Sequence, residues 1–146
     1  MQSGVARPAN RSMAVAIIKG TGIWVLIMLA ASANGVVREN VLDPVLGTTL
    51  ALPTSGLLLS MIIFGMSWLC VPLMGRFGTP VWLAIGMLWV MLTLAFEYLF
   101  VYFIAGMSWR EISRVFDLVS GNLFLLVLFA AALSPWLAAR LRGLVN

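Results

Sequence analysis

The sequence predicts an all-α integral membrane protein, a bundle of four transmembrane helices with a short additional helix in the outer interface. Of its 146 residues, 62% are hydrophobic and 10% are charged, whereas a soluble domain has roughly 45–50% apolar and about 25% charged residues. The mean hydropathy is +1.07. A water-soluble fold of this length has too little interior to hide that much apolar surface, so lipid must solvate most of the chain.

The apolar residues fall into four runs, and a membrane-spanning helix needs about 20 of them. Lys19 lies one turn inside the first run and is expected to reach the headgroups by snorkelling. Pro80 begins the third run, a position that proline tolerates well. The spans are predicted at about 13–37, 48–74, 80–105 and 122–138. They fill most of a single membrane domain, residues 1–146, and leave no room for a soluble domain.

The amino-terminal run permits a second interpretation. Basic residues precede it, and Ala31-Ser32-Ala33 resembles the cleavage site of a signal peptide. The apolar stretch continues beyond this site to Val37. This continuation favours an uncleaved first helix.

Lysine and arginine are distributed unequally between the two sides of the predicted membrane domain. The side of the termini and the second connection carries Arg7, Arg11, Lys19, Arg76, Arg140 and Arg142. The other side carries Arg38, Arg110 and Arg114, partly offset by acidic residues. The positive-inside rule therefore places both termini in the cytoplasm, and an even number of spans agrees with that.

The third connection is predicted to form a short helix over about 108–120. Ser108 followed by Glu111 is the pattern of a capping box, which opens a helix. Trp109, Ile112 and Phe116 then fall on one face at spacings of three and four. An apolar face flanked by charged residues is typical of a helix that lies flat in the membrane interface.

Composition excludes several functions. Histidine is absent and Cys70 is the one cysteine, which removes the usual ligands of haem, zinc and iron–sulfur clusters, an internal disulfide and the commonest general base. We therefore predict no metal, no cofactor and no enzymatic activity. The net charge of +4 does not indicate nucleic-acid binding, because the basic residues are scattered singly and form no patch.

Glu97 is the residue that does not fit an apolar span. An ionisable group at the centre of a membrane helix costs about 2.5–3.5 kcal/mol on insertion scales, and such residues usually face the bundle interior or a water-filled cavity. Glu97 precedes Gly106 by nine residues, which is roughly 13 Å of helix, so we place it in the outer half of the membrane. Other polar residues fall at similar depth. The candidate substrate- or proton-binding residues are Glu97, Arg38, Thr93, Tyr98, Tyr102, Asn34 and Thr54.

Two functions are consistent with this cluster. The first is a non-catalytic accessory or structural subunit, in which a buried Glu97 organises the polar cluster and so fixes which helices are neighbours. The alternative is a small oligomeric transporter or channel that uses Glu97 as a proton or cation site. A lipid-modifying enzyme with Glu97 and Tyr98 or Tyr102 as acid and base has no support from residue spacing. The expected partners are the lipid bilayer and a homo-oligomer or larger membrane complex.

Several short motifs carry a resemblance to a known group of proteins. They are Phe96-Glu97, Gly106-Met107-Ser108-Trp109, Gly121-Asn122-Leu123 and the tail Pro135-Trp136-Leu137-Ala138-Ala139-Arg140-Leu141-Arg142-Gly143. The second half of the chain, and more loosely the connection Arg38 to Gly47, resembles an uncharacterised group of short bacterial four-helix membrane proteins. The resemblance implies a bacterial cytoplasmic (inner) membrane protein and draws attention to Glu97, but it implies no activity.

Overall fold

The computed structural model describes residues 8–116 and 122–146, and these form an all-α bundle. Four helices are long and apolar enough to cross a membrane, which confirms the predicted fold class. Their α-helical parts are α1 (Pro8–Val37), α2 (Thr48–Met74), α3 (Thr79–Ala95) and α4 (Phe124–Leu141).

Helices α1 and α3 each continue beyond their α-helical part through one π-helical turn. In such a turn an N–H donates to the carbonyl five residues back instead of four, as the N–H of Asp43 does to Arg38. The continuations are the π turns Arg38–Leu42 and Phe96–Phe100, followed by the α-helical turns Asp43–Leu46 and Val101–Ile104.

The continuation of α1 differs from the turn-rich connection expected between Arg38 and Thr48. The chain stays helical through Leu46 and reverses at a single residue, Gly47, whose φ of +78° suits glycine. Pro44 does not break the helix, because it stands in the first turn of its own α-helical segment, where its missing N–H is not needed. The 34 residues of Met13–Leu46 span about 51 Å, which exceeds the hydrocarbon thickness of about 30 Å.

The four helices are arranged so that α2 and α3 each pack against both α1 and α4. Consequently α1 and α4 lie diagonally across the bundle from each other. The α1–α2 and α3–α4 connections lie at one end, which we call the Gly47 end. The α2–α3 connection and the carboxyl terminus lie at the other, which we call the Gly75 end.

The carboxyl-terminal tail is docked at the Gly75 end. The N–H of Asn146 donates to the carbonyl of Phe77 at 3.0 Å, and Arg142 Nη1 donates to the carbonyl of Trp68 at 2.7 Å. The Trp68 carbonyl lacks its regular α-helical donor, because the residue four positions on is Pro72, which has no N–H. Arg142 therefore satisfies a carbonyl that a proline has left unpaired, and its guanidinium also lies 5.2 Å from the Trp68 ring centroid.

Helices α3 and α4 approach each other closely at Gly86. A Cβ added to Gly86 would lie 1.9 Å from the carbonyl oxygen of Ala132, so only glycine fits there. Small residues that let backbones approach are the usual basis of helix packing in lipid. The large side chains buried around this crossing include Trp82, Trp89 and Ile85.

The third connection contains a short α-helix, Trp109–Ile112, and a 3₁₀ turn, Ser113–Phe116. The predicted capping box is confirmed, because the Glu111 N–H donates to Ser108 Oγ and the Ser108 N–H donates to the Glu111 carboxylate. The remainder of the predicted 108–120 helix, from residue 117 on, lies outside the described residues.

The expected apolar face of this short helix divides between two environments. Ile112 is buried, whereas Trp109 is 53% exposed and stacks on the rings of Tyr98 and Tyr102 with centroids 5.4 and 5.2 Å away. The short helix is therefore held to the end of α3 through aromatic stacking.

Candidate functional site

A cavity of about 290 Å³ opens among the four helices. Helices α1 and α4 lie diagonally across the bundle and are held apart by α2 and α3. The cavity occupies the space between α1 and α4. We call it the main cavity. Its wall is made of Trp24, Ile27, Met28, Ala31, Ser32, Arg38, Leu52, Leu59, Ile63, Trp89, Thr93, Phe96, Glu97, Asn122, Phe124, Val127 and Ala131.

Glu97 lies on this wall and is half-buried. Within residues 8–116 and 122–146, no side chain or backbone group forms a hydrogen bond or an ion pair with its carboxylate. Arg38 lines the same cavity, but it forms no ion pair with Glu97. The structure thus brings a carboxyl group to a largely apolar cavity and gives it no partner among the described residues.

The two charged residues found among the described wall residues of the main cavity lie in π-helical turns. Arg38 begins the turn Arg38–Leu42, and Glu97 is the second residue of the turn Phe96–Phe100. A π turn widens the helix locally and shifts the side chains that follow relative to an α-helical register, and such turns occur frequently at functional sites. The coincidence of two rare turns with the two charged wall residues indicates that the backbone is shaped to present these side chains.

Thr93 lies one turn from Glu97 on α3 and also contributes to the wall. Its hydroxyl oxygen accepts a hydrogen bond from Trp24 Nε1 at 3.0 Å, which ties α1 to α3 beside the cavity. Trp24 in turn meets the ring of Phe96 edge-on, with centroids 6.4 Å apart. These two aromatic side chains form a continuous apolar part of the wall that Glu97 also lines.

Trp89 lies one turn further from the Gly47 end, at the bottom of the main cavity. Its indole is buried, and its Nε1 donates to the carbonyl of Gly20 at 2.9 Å. Ile63 of α2 is buried at the same wall. The polar groups of the cavity are therefore separated from the Gly75 end by packed apolar side chains.

Arg38 has one ionic partner among the described residues, the adjacent Glu39, with Nη2 and Oε1 3.8 Å apart. The Glu39 side chain is 68% exposed, and exposed ion pairs of this kind contribute little. The Arg38 guanidinium therefore keeps most of its capacity to bind an anion.

A second, smaller cavity of about 120 Å³ adjoins the first and shares Arg38 and Asn122 with it. We call it the side cavity. Asn34 is buried on its wall, and its Nδ2 donates to the carbonyl and the hydroxyl oxygen of Ser55 at 3.2 and 2.9 Å. Because a backbone carbonyl can only accept, these bonds fix the orientation of the amide. Asn34 Oδ1 is then a buried acceptor without a donor in the described part of the chain.

Three of the predicted site residues do not line either cavity. Thr54 donates its hydroxyl back to the Leu50 carbonyl of its own helix at 2.7 Å. Tyr98 hydrogen-bonds Ser113 at 3.1 Å and, like Tyr102, stacks on Trp109. The structure thus gathers Glu97, Arg38 and Thr93 at the main cavity and Asn34 at the side cavity.

The sequence-based reasoning missed the aromatic part of the wall, above all Trp24. A usable signal was present: Trp24, Ile27, Met28 and Ala31 follow the i, i+3, i+4, i+7 spacing of one helix face. Arg38 follows Ala31 by seven residues, or two helical turns, and therefore falls on the same face. Reading the charged residue and the tryptophan as members of one face would have placed both at the same site.

Comparison with known proteins gives no further constraint on the site. No protein-family model, no curated protein and no solved structure matches this chain.

Proposed function

We propose that this small multi-pass membrane protein is a transporter or channel that takes up a proton or a cationic group at Glu97. The observation that supports this most strongly is the Glu97 carboxylate, which lines the main cavity and has no bonding partner among the described residues. A carboxylate that is left without a partner in an apolar environment must gain a proton or a cation to offset its desolvation.

The same observation weighs against a purely organising role for Glu97. A carboxylate that fixes helix neighbours does so through the partners that it binds. Here the inter-helix hydrogen bonds beside the cavity are made by other residues, namely Trp24 with Thr93 and Asn34 with Ser55. The accessory-subunit hypothesis would need a partner for Glu97 outside the described residues, in this chain or on another protein.

Several properties of the proposed protein rest on sequence alone. The distribution of lysine and arginine supports cytoplasmic termini, which would place the Gly47 end, and with it the cavity, on the outer side. The resemblance to short bacterial membrane proteins supports the bacterial inner membrane. We expect the protein to work as a homo-oligomer or in a larger complex, without a cofactor and without catalysing a covalent reaction.

Proton flux into liposomes tests the proposal. Purified protein is reconstituted with a pH-sensitive dye inside, and a potassium gradient with valinomycin sets an inside-negative potential. We expect the wild type to acidify the lumen faster than protein-free liposomes do. Glu97→Gln should remove this excess, because glutamine keeps the shape of the side chain but cannot carry a negative charge.

Glu111→Gln is the matched control, since it makes the same chemical change at a fully exposed residue and glutamine also fits a capping box. It should leave the flux unchanged, and size-exclusion chromatography should show normal assembly of both variants. A wild-type protein that conducts neither protons nor small organic cations would refute the transport proposal.

A further inference from the structure

Hydrogen-bond acceptors and donors are distributed unevenly over the walls of the two cavities. In the main cavity, the Glu97 carboxylate has no partner within residues 8–116 and 122–146, and when it is ionised it can only accept hydrogen bonds. Where the two cavities adjoin, the wall is rich in donors. The Arg38 guanidinium is a permanent cation, and it lines both cavities together with Asn122.

Two neutral side chains add to the donor end. Asn122 Oδ1 accepts from the N–H of Phe124 at 3.1 Å in an Asx turn that precedes α4, so the Nδ2 of this cavity residue remains available as a donor. Ser55 Oγ accepts from Asn34 Nδ2, which leaves its O–H to donate. Arg38, Asn122 and Ser55 together offer the kind of donors that a carboxylate or phosphate binds.

The two charges in this space do not neutralise each other. Arg38 and Glu97 line one cavity and form no ion pair, and the exposed Glu39 is the one ionic partner of Arg38 in the described part of the chain. A simple cation at Glu97 would leave Arg38 without an anion and would be repelled by its guanidinium. A simple anion at Arg38 would leave Glu97 without a cation and would be repelled by its carboxylate. A ligand that carries both charges satisfies both side chains.

We propose that the ligand of the two cavities is a small zwitterion, with its ammonium group at Glu97 and its anionic group at Arg38. This inference rests on the proposed function, because it requires Glu97 to bind a cationic group. The apolar body of the ligand packs against Trp24, Phe96 and Met28, which contribute to the largely apolar wall. The main cavity is near the lower limit of ligand pockets, about 300–1,000 Å³, so the ligand is small.

In this arrangement the side cavity holds water. A water takes about 30 Å³ of liquid volume, so a cavity of this size has room for several. Asn34 Oδ1 needs a donor, which a water supplies, and the same waters hydrate the anionic group beside Arg38. The chemistry fits two sources of zwitterion, a free amino acid with an apolar side chain or the headgroup of phosphatidylethanolamine.

Three probes that share a phenyl group test the contribution of each charge to binding. Binding of L-phenylalanine, of 2-phenylethylamine and of 3-phenylpropanoate to the full-length protein in detergent is measured by calorimetry. Only the first has both charges. We expect it to bind at least about tenfold more tightly than either of the others, since one satisfied charged group is worth about 1.4 kcal/mol or more.

Variants assign each charge to a residue. Arg38→Gln should abolish the preference for phenylalanine over the amine, and Glu97→Gln should abolish its preference over the carboxylate. Arg110→Gln and Glu111→Gln make the same changes at exposed residues and should alter neither preference. In a second arm, native mass spectrometry measures retention of phosphatidylethanolamine against phosphatidylglycerol by the wild type and by Glu97→Gln, because the two lipids share the phosphate and differ in the ammonium group.

The outcomes distinguish the two sources and the two proposals. Selective binding of phenylalanine supports the free zwitterion, and selective retention of phosphatidylethanolamine that Glu97→Gln abolishes supports the headgroup. If 2-phenylethylamine binds as tightly as phenylalanine and Arg38→Gln has no effect, the zwitterion is wrong while the cation site at Glu97 stands. If no probe binds and neither lipid is preferred, the zwitterion is also wrong, and the proton-flux experiment still decides the proposed function by itself.

Discussion

Replacing Gly86 with alanine should separate helices α3 and α4. The added Cβ would lie 1.9 Å from the Ala132 carbonyl oxygen, and an ordinary contact begins near 3.4 Å, so the two backbones must move apart by about 1.5 Å. Since both elements are helical backbone, no side-chain rotation can relieve the clash. Overpacking costs about 1–3 kcal/mol, and alanine returns about 1 kcal/mol of helix propensity, so we expect a net loss of roughly 1 kcal/mol.

Equilibrium unfolding in mixed micelles, followed by far-ultraviolet circular dichroism, measures this loss. Gly65→Ala is the matched control, because Gly65 lies in α2 and an added Cβ meets nothing within 4 Å. It should be neutral or stabilising by up to about 1 kcal/mol. If Gly86→Ala is as stable as Gly65→Ala, the close approach of α3 to α4 does not exist in the folded protein, and the reasoning fails.

Two further predictions concern the ends of the bundle. Arg142→Gln should cost about 1 kcal/mol of stability in the same unfolding assay, because the Trp68 carbonyl that Pro72 leaves unpaired loses its charged donor. Arg76→Gln removes an exposed cation at the same end of the bundle and should cost nothing measurable. Equal losses in the two variants would contradict the specific role of the tail. At the other end, hydrogen bonds from the backbone and then the side chain of Ser108 hold the pKa of Glu111 below its ordinary value. The carboxylate therefore stabilises the short helix fully above the ordinary glutamate pKa of about 4.3, and this contribution is lost as the pH falls through the lowered value. The Ser108 amide resonance should report that titration and Glu111→Gln should abolish it, whereas a midpoint at or above the ordinary pKa would contradict the capping geometry.

The number of membrane helices followed from the sequence because it depends on local properties. Apolar runs of the required length, bounded by charged residues, have few alternatives to a membrane helix, since lipid forces each segment to satisfy its own backbone hydrogen bonds. The capping box at Ser108 and Glu111 is equally local. The extension of α1 to Leu46 was not predictable in this way. Pro44 and Gly47 are compatible with a turn anywhere in that segment, and the π turn that allows the helix to continue has no sequence signature of its own.

For the candidate site too, the sequence predicted what depends on local properties and not what depends on helix packing. The sequence alone singled out Glu97, because the cost of an ionisable group in lipid needs no knowledge of its neighbours. Which polar residues share a cavity with it depends on the rotation of each helix about its axis, and packing between helices sets that rotation. The structure therefore turned Thr54 and Tyr102 away from the cavities, brought Trp24 beside Thr93, and left Glu97 and Arg38 on one wall without joining them. The sequence determined that a carboxylate would lie within the membrane, and only the tertiary structure decided that it faces a cavity in which no described residue binds it.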